Sequence, residues 1–210
     1  MQYKIFSFNP LQVNTTVVWD DTKCLLFDPA CSNDNEYKLL NIFLNDNNIS
    51  DVEILLTHAH FDHIMGVNNI VSHYGSSLRM HEGDTFLLEN AVSMAGRFGI
   101  PMQAINSPDE YIDETYTTCI GGDNMQTLHV PGHSPGSLCY FFPQNGILIS
   151  GDVLFNGSIG RTDLPGGSMN LLTSSIKSKL LSLPEDTCVI CGHGQPTTIG
   201  KEKRDNPFLQ

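Results

Sequence analysis

Residues 57–63 read Thr-His-Ala-His-Phe-Asp-His, which places His58, His60, Asp62 and His63 within six positions. Imidazole nitrogens and carboxylate oxygens are the usual donors for zinc and similar divalent ions. Neither a packed core nor an ordinary surface loop needs four such groups so close together. One tetrahedral ion cannot comfortably take all four, because neighbouring side chains point in different directions. Two ions a few ångströms apart can, with His58 and His60 on one and Asp62 and His63 on the other.

Further donors lie downstream. His133 follows the apolar run Met125–Val130 through Pro131-Gly132, Asp152 follows Gly146–Gly151, and His193 follows Cys188–Gly192. The opening cluster likewise follows Val52–Leu56. In each case a strand-like segment ends and a polar donor appears within a few residues. Glycine recurs at these junctions, where it lets the backbone turn sharply and approach a bound group closely. Sites in open sheet folds form where strand ends deliver side chains into a common crevice. Such convergence predicts two metal positions: His58, His60 and His133 at the first, and Asp62, His63 and His193 at the second. Asp152 would bridge them, since a carboxylate offers two oxygens. His73, His81 and His129 lack this context and read as hydrogen-bonding surface groups. Tyr140 and Phe155 read as core.

The elements that must position these donors follow from periodicity. Residues 3–8, 13–19 and 24–27 predict strands, with a hairpin turn at Asp20-Asp21. A helix is predicted through Tyr37, Leu40, Ile42 and Leu44, with caps at 32–34 and a stop at Asn45–Asn48. Val52–Leu56 and Leu78–Met80 are short strands flanking a helix over Ile64–Tyr74, which Gly66 weakens. Glu82–Phe98 reads as helix. Gly99–Thr118 carries two prolines and reads as a loop that shapes the mouth of a site or an interface. Strands follow at 125–130, 137–142, 146–150 and 189–191. Between the last two, a helix over 168–182 places Leu171, Leu172, Ser175, Ile176 and Leu180 on one face. No repeat or linker divides the chain, so residues 1–210 are expected to form one domain.

Composition narrows the function. The chain has a formal net charge of -12 and 40% hydrophobic residues. A net anion is a poor partner for phosphate backbones, so no nucleic-acid partner is expected. The N-terminal Met1-Gln-Tyr-Lys-Ile-Phe-Ser-Phe alternates like a strand and has no signal-peptide character, and no apolar run is long enough to span a membrane. Six cysteines without a signal peptide point to free thiols in a reducing, cytoplasmic setting. Cys188-Val-Ile-Cys191 has CxxC spacing, but its β-branched interior reads as a buried strand end. The sequence carries no signal for oligomeric state.

The set His58-x-His60-x-Asp62-His63, His133, Asp152, His193 resembles the metallo-β-lactamase superfamily, in order and in strand-end placement. All seven ligand positions are filled, and the likeness covers nearly the whole chain. Asn14-Thr15, Leu26-Phe27-Asp28-Pro29 and His133-Ser134-Pro135-Gly136-Ser137 add to it. Within the superfamily the chain is most similar to a short form of the glyoxalase II branch. Gly151-Asp152-Val-Leu-Phe, Ser158–Gly167 and the tail from Gly192 to Phe208 carry that likeness.

This resemblance implies an α/β fold, an αβ/βα four-layer sandwich of two sheets with helices outside. It implies a metal-dependent hydrolase acting on small thioesters such as S-lactoylglutathione, through a hydroxide bridging two divalent ions. Zinc is the expected metal, and iron or manganese also suit such ligands. Asp152 and Asp62 would be the catalytic carboxylates, Asp152 as the bridge and Asp62 as ligand and orienter of the nucleophile. Two departures from full-length glyoxalase II stand out: the sequence ends soon after His193, and Arg161 stands where those enzymes place a lysine. Arg161 could clamp a substrate carboxylate, or could tie down the loop over 156–167. Arg161-Thr162-Asp163 also resembles the persulfide dioxygenase branch, whose single iron would sit on His58, His60 or a neighbour, His133 and Asp152. The remaining alternatives are a ribonuclease, disfavoured by the lack of a basic arm, a β-lactamase, and a non-catalytic metal-binding protein.

Overall fold

A computed structural model describes residues 1–210. Its first sheet contains β1 (Gln2–Phe8), β2 (Val13–Trp19), β3 (Cys24–Phe27), β4 (Val52–Leu55), β5 (Leu78–Met80) and β6 (Glu110–Tyr111), in that spatial order. β1, β2 and β3 pair antiparallel, whereas β3 to β6 run parallel. Parallel neighbours need long crossovers. Three helices supply them: α1 (Asp34–Asp46), α2 (Val67–Tyr74) and α3 (Thr85–Arg97). Asn33 caps α1 by accepting from the main-chain N–H groups of Asn35 and Glu36.

The second sheet contains β7 (Thr117–Ile120), β8 (Asp123–His129), β9 (Leu138–Phe142), β10 (Ile147–Gly151), β13 (Cys188–Cys191) and β14 (Thr197–Thr198). Between β10 and β13 come a small hairpin, β11 (Leu154–Phe155) with β12 (Ser158–Ile159), and α4 (Met169–Ser175). The chain closes on α5 (Ile199–Asp205).

Strand alternation feeds separate cores. In β3, Leu25 and Phe27 join an inter-sheet cluster that includes Leu138, Tyr140, Phe142, Ile147 and Ile149. Cys24 and Leu26 point the other way, to a cluster with Leu40, Leu44, Ile70 and Leu88 from the helices. On the far side, Cys139, Phe141, Leu148 and Val189 meet Leu172, Ile176, Leu180 and Ile199. Strands buried on both faces read as continuous apolar runs, which is why 24–27 and 147–149 show no polar alternation. Helix, sheet, sheet and helix thus stack in the four layers that the resemblance implies.

The sheets are also pinned together at one end. Leu138 N donates to Thr57 O at 2.7 Å, Asn14 N donates to Gly192 O at 2.7 Å, and the buried Tyr140 hydroxyl donates to Leu56 O at 2.7 Å. All three links lie beside the predicted donors.

Several expectations need correction. Gly99–Thr118 is not wholly a loop, because it contributes β6 to the first sheet and opens β7 of the second. Its irregular part packs the half-buried Ile100, Met102 and Ile105 against the helical side of the first sheet, so it covers core and not the site. Leu171 is 44% exposed, while Leu172, Ile176 and Leu180 are buried, because it lies one position off their i, i+4 row. Ile64–Gly66 is a turn, and α2 starts only at Val67. No helix is long and apolar enough to cross a membrane.

Candidate metal centre

The strand ends converge as the sequence predicts. β4 ends at Leu55, and Thr57 leads into His58. A 3-10 turn over Phe61–His63 then lifts Asp62 and His63 back towards the sheet. His133 arrives from the loop after β8, Asp152 from the end of β10, and His193 from the end of β13. Glycine is required at two of these junctions. Gly151 has φ +49°, and a Cβ there would lie 2.2 Å from Thr57 Oγ1. A Cβ on Gly192 would lie 2.0 Å from Asp152 Oδ1.

Two triads result, with donor atoms mutually within 4.8 Å: His58, His60 and His133, and Asp62, His63 and His193. In the first, His133 Nε2 lies 3.2 Å from His58 Nε2 and 2.9 Å from His60 Nδ1. In the second, His193 Nε2 lies 3.4 Å from His63 Nε2 and 3.6 Å from Asp62 Oδ2. Asp152 stands between them, with Oδ2 3.7 Å from His133 Nε2 and 3.5 Å from His193 Nε2, and Oδ1 3.4 Å from His63 Nε2.

The partners of the other ring nitrogens fix the tautomers. His133 Nδ1 donates to Arg161 O at 2.8 Å, His193 Nδ1 to Leu11 O at 2.8 Å, and His63 Nδ1 to Asp28 Oδ2 at 2.9 Å. Thr57 Oγ1 spends its proton on Asp28 Oδ2 and therefore accepts from His58 Nδ1 at 3.1 Å. Each of these four rings thus keeps its proton on Nδ1 and presents an Nε2 lone pair to the site. Lone pairs facing one another at such distances repel unless a cation lies among them. Metal–nitrogen bonds of about 2.0–2.1 Å at a tetrahedral ion would set two ring nitrogens about 3.3 Å apart, close to the spacings here. Asp152 Oδ1 is buried and makes no hydrogen bond, its contact with His63 being poorly aligned for one. An orphaned buried carboxylate oxygen is costly, and a cation would satisfy it. The donor set therefore fits a pair of divalent ions.

Protonation follows environment. Burial, with nearby imidazoles, holds His58 well below its ordinary value and His60 down at about 3, so both are neutral donors. Burial opposes charge on His63, but Asp152 and Asp62 outweigh it and push that ring well above its ordinary value, so without an ion its Nε2 holds a proton that a metal would replace. Burial opposes ionisation of Asp152 as well, and His63 and His193 reverse the effect, holding the carboxyl far below the usual range. The second triad is thus the more anionic surrounding.

Two supporting carboxylates escape a ligand search by spacing. Asp28 accepts from Thr57 N at 2.7 Å as well as from Thr57 Oγ1 and His63 Nδ1. It lies near His58 and His63, but these bonds occupy it as an orienting group. Its signal was present, since it directly follows the apolar run Cys24–Phe27. Asp84 accepts from Ala59 N at 3.1 Å, Ser134 Oγ at 2.8 Å and Gly136 N at 2.6 Å. It thereby ties the segment of His58 and His60 to the loop of His133, and no local pattern announces it.

A cavity of about 230 Å³ opens onto His60, Asp62, His133, Asp152 and His193. Its outer wall comprises Leu11, Phe61, Met94, Phe98, Leu164 and Arg161. Met94 lies on α3 and Phe98 just past its end, so the helical part of 82–118 reaches the mouth while the loop does not. The Arg161 guanidinium makes a two-pronged pair with Asp163, at 2.8 and 2.7 Å. Tyr140 is core; Phe155 is partly buried, its ring 6.3 Å from that of His193. A larger cavity of about 390 Å³, lined by Asp20, Asp21, Asp46 and Asp51, lies where β3 and β4 begin, and no histidine reaches it. His81 and His129 stack on each other at 4.2 Å, away from the triads, and His129 Nε2 donates to Pro135 O.

Comparison with known proteins gives a consistent result. The sequence model of the metallo-beta-lactamase superfamily matches residues 8–193. A hydroxyacylglutathione hydrolase, GloC of Haemophilus influenzae, is 39% identical over 212 residues, spanning 100% of this chain and 98% of that one. Among solved structures, the B3 metallo-beta-lactamase BLEG-1 superimposes with a TM-score of 0.90 at 38% identity, covering 100% of both chains. The protein TTHA1623 in a di-iron-bound form gives a TM-score of 0.88 at 38% identity, covering 98% of this chain and 100% of that one.

Proposed function

The chain belongs to the metallo-beta-lactamase superfamily, and on that premise we propose that it is a dinuclear metal-dependent hydrolase of small thioesters such as S-lactoylglutathione. One observation carries the reading: two triads of inward lone pairs with the orphaned Asp152 carboxylate between them. The likeness to GloC supports the substrate class. His58, His60 and His133 would hold one ion, Asp62, His63 and His193 the other, and Asp152 both. Zinc suits these nitrogen and oxygen donors; the di-iron form of TTHA1623 makes iron the metal to compare with it. When bound, such ions polarise a carbonyl and bring the pKa of a coordinated water from ~15.7 towards ~7.

The chain's own residues account for the rest. Asp28, Arg161 O and Leu11 O hold imidazole protons on Nδ1, so the inner nitrogens are the ones turned to a metal. Asp62 Oδ2, beside His193 at the cavity, orients the attacking water and accepts its hydrogen bond. Phe61, Met94, Phe98 and Leu164 shield the carbonyl from bulk water. The water, having released one proton to solvent, forms the carbon–oxygen bond, and the carbon–sulfur bond breaks to release a thiolate, a leaving group that needs no prior protonation. Arg161 is the cation of this wall and the residue through which a substrate anion would be met. All six cysteines are free, which suits a cytoplasmic setting.

Elemental analysis of purified protein, paired with hydrolysis of S-lactoylglutathione and simpler thioesters, tests the reading. Two equivalents of metal with thioester turnover support it. One iron per chain with oxygen consumption on glutathione persulfide points to the dioxygenase alternative. Preferential turnover of a β-lactam, the control suggested by the BLEG-1 likeness, would also overturn it.

A further inference from the structure

The wall of the site is largely apolar on the side of Leu11, Phe61, Met94, Phe98 and Leu164. Phe98 is 57% exposed and Leu11 37% exposed at the rim, where with Met94 and Phe61 they form one apolar lining at the mouth of the cavity. The Phe98 ring lies 5.2 Å from that of Phe61, which extends the apolar surface inward to the donors. Met94 adds a flexible, polarizable filler on the same side. Against this stands one cation, Arg161, whose guanidinium is already engaged at two points by Asp163. A substrate carboxylate could still reach Nη1, but it would meet a guanidinium whose charge Asp163 already balances, on a chain of net charge -12.

We propose that this mouth selects thioesters whose substituents are uncharged and apolar, with Leu11, Met94 and Phe98 as specificity-determining residues and Asp163 as the group that offsets the charge of Arg161. The inference rests on the thioester-hydrolase reading and shifts its preferred substrates from anionic thioesters such as S-lactoylglutathione to neutral ones. Hydrocarbon entering the cavity leaves water and meets Phe98, Met94 and Leu11, whereas a carboxylate meets an Arg161 whose charge Asp163 already balances.

The test uses metal-loaded protein and thioesters of the neutral thiol N-acetylcysteamine carrying acetyl, butanoyl and hexanoyl groups. kcat/KM should rise about two- to fourfold per methylene at first, as expected for hydrocarbon that is largely buried. In parallel, calorimetry should show S-hexyl-N-acetylcysteamine, a thioether that cannot be hydrolysed, binding more tightly than the S-methyl analogue. Met94→Ala with Phe98→Ala should flatten both series. Asp163→Asn should raise turnover of anionic S-lactoylglutathione severalfold relative to the neutral acetyl thioester. A flat chain-length series in rate and binding, or an unchanged anionic-to-neutral ratio in Asp163→Asn, would overturn the inference while leaving the hydrolase intact. Failure of every thioester to turn over would instead remove the hydrolase reading beneath it.

Discussion

The two triads are built from similar residues but sit differently in the protein. His58, His60 and His133 are at most 9% exposed and consist of imidazoles alone. The second triad includes the carboxylate of Asp62, and the His193 side chain is 27% exposed where the cavity opens. Support differs too. The first triad is stabilised by Thr57 at His58, by Arg161 O at His133 and, through Ala59 and Ser134, by the buried Asp84. The second relies on Leu11 O for His193 and on Asp28 for His63. A preformed, dry set of neutral donors loses little entropy on taking up an ion, whereas a partly open set must be ordered as it binds. The first position should therefore hold its metal more firmly, and the second should be the exchangeable one.

The largest expected effect removes what the triads share. Asp152→Ala should abolish paired metal binding and lower thioester turnover by about a hundredfold to a thousandfold or more, read by elemental analysis beside steady-state rates. If two equivalents remain bound, Asp152 is no bridge and the triads are independent. Next comes the asymmetry itself. His193→Ala should retain one equivalent of metal, and His58→Ala should lose the more firmly held ion. Equal losses from both variants would erase the contrast between a deep and a shallow position.

A smaller effect separates orientation from scaffolding. Asp28→Asn replaces an acceptor of the His63 proton by a group that can present a donor, so metal affinity should fall about tenfold to a hundredfold at the second position and, through Thr57 and His58, by less at the first. Asp84→Ala touches no ligand ring directly. It should cost about 3 kcal/mol of folding stability, because it strands the donors Ala59 N, Ser134 Oγ and Gly136 N in a buried setting. Denaturant unfolding of the metal-free variants distinguishes the two. An Asp84→Ala protein of ordinary stability would show that this link between the segments is dispensable.

These supports were less legible than the donors, for a physical reason. Each predicted ligand follows an apolar run, so strand periodicity locates its segment and residue type supplies the chemistry. Asp28 obeys the same rule after Phe27, yet one carboxylate beside a proline carries little signal without its partner His63 in space. Asp84 sits in a short turn before α3 and meets partners 25, 50 and 52 residues away, which no local pattern encodes. The two-residue strand Glu110–Tyr111 is too short to show a period, so its segment reads as loop. Arg161 shows the same limit. Its type announces a cation near the site, while its partner Asp163 emerges only from side-chain geometry.

The smallest effect tests whether the shallow position is shallow because its turn is held lightly. Asn14 Nδ2 donates to Cys191 O and to Gly194 O, both at 2.9 Å, spanning the turn that carries His193. One bond is partly buried and the other exposed, so losing them in Asn14→Ala should cost only about 1 kcal/mol of stability. The backbone link from Asn14 N to Gly192 O survives the substitution, so the turn should loosen without leaving the sheet. Metal affinity should then fall severalfold at the second position and stay unchanged at the first, as stepwise chelator titration can resolve. A loss shared equally by both positions would mean that the His193 turn and the first triad move as one body, and the deep and shallow positions would have to be treated as a single cooperative centre.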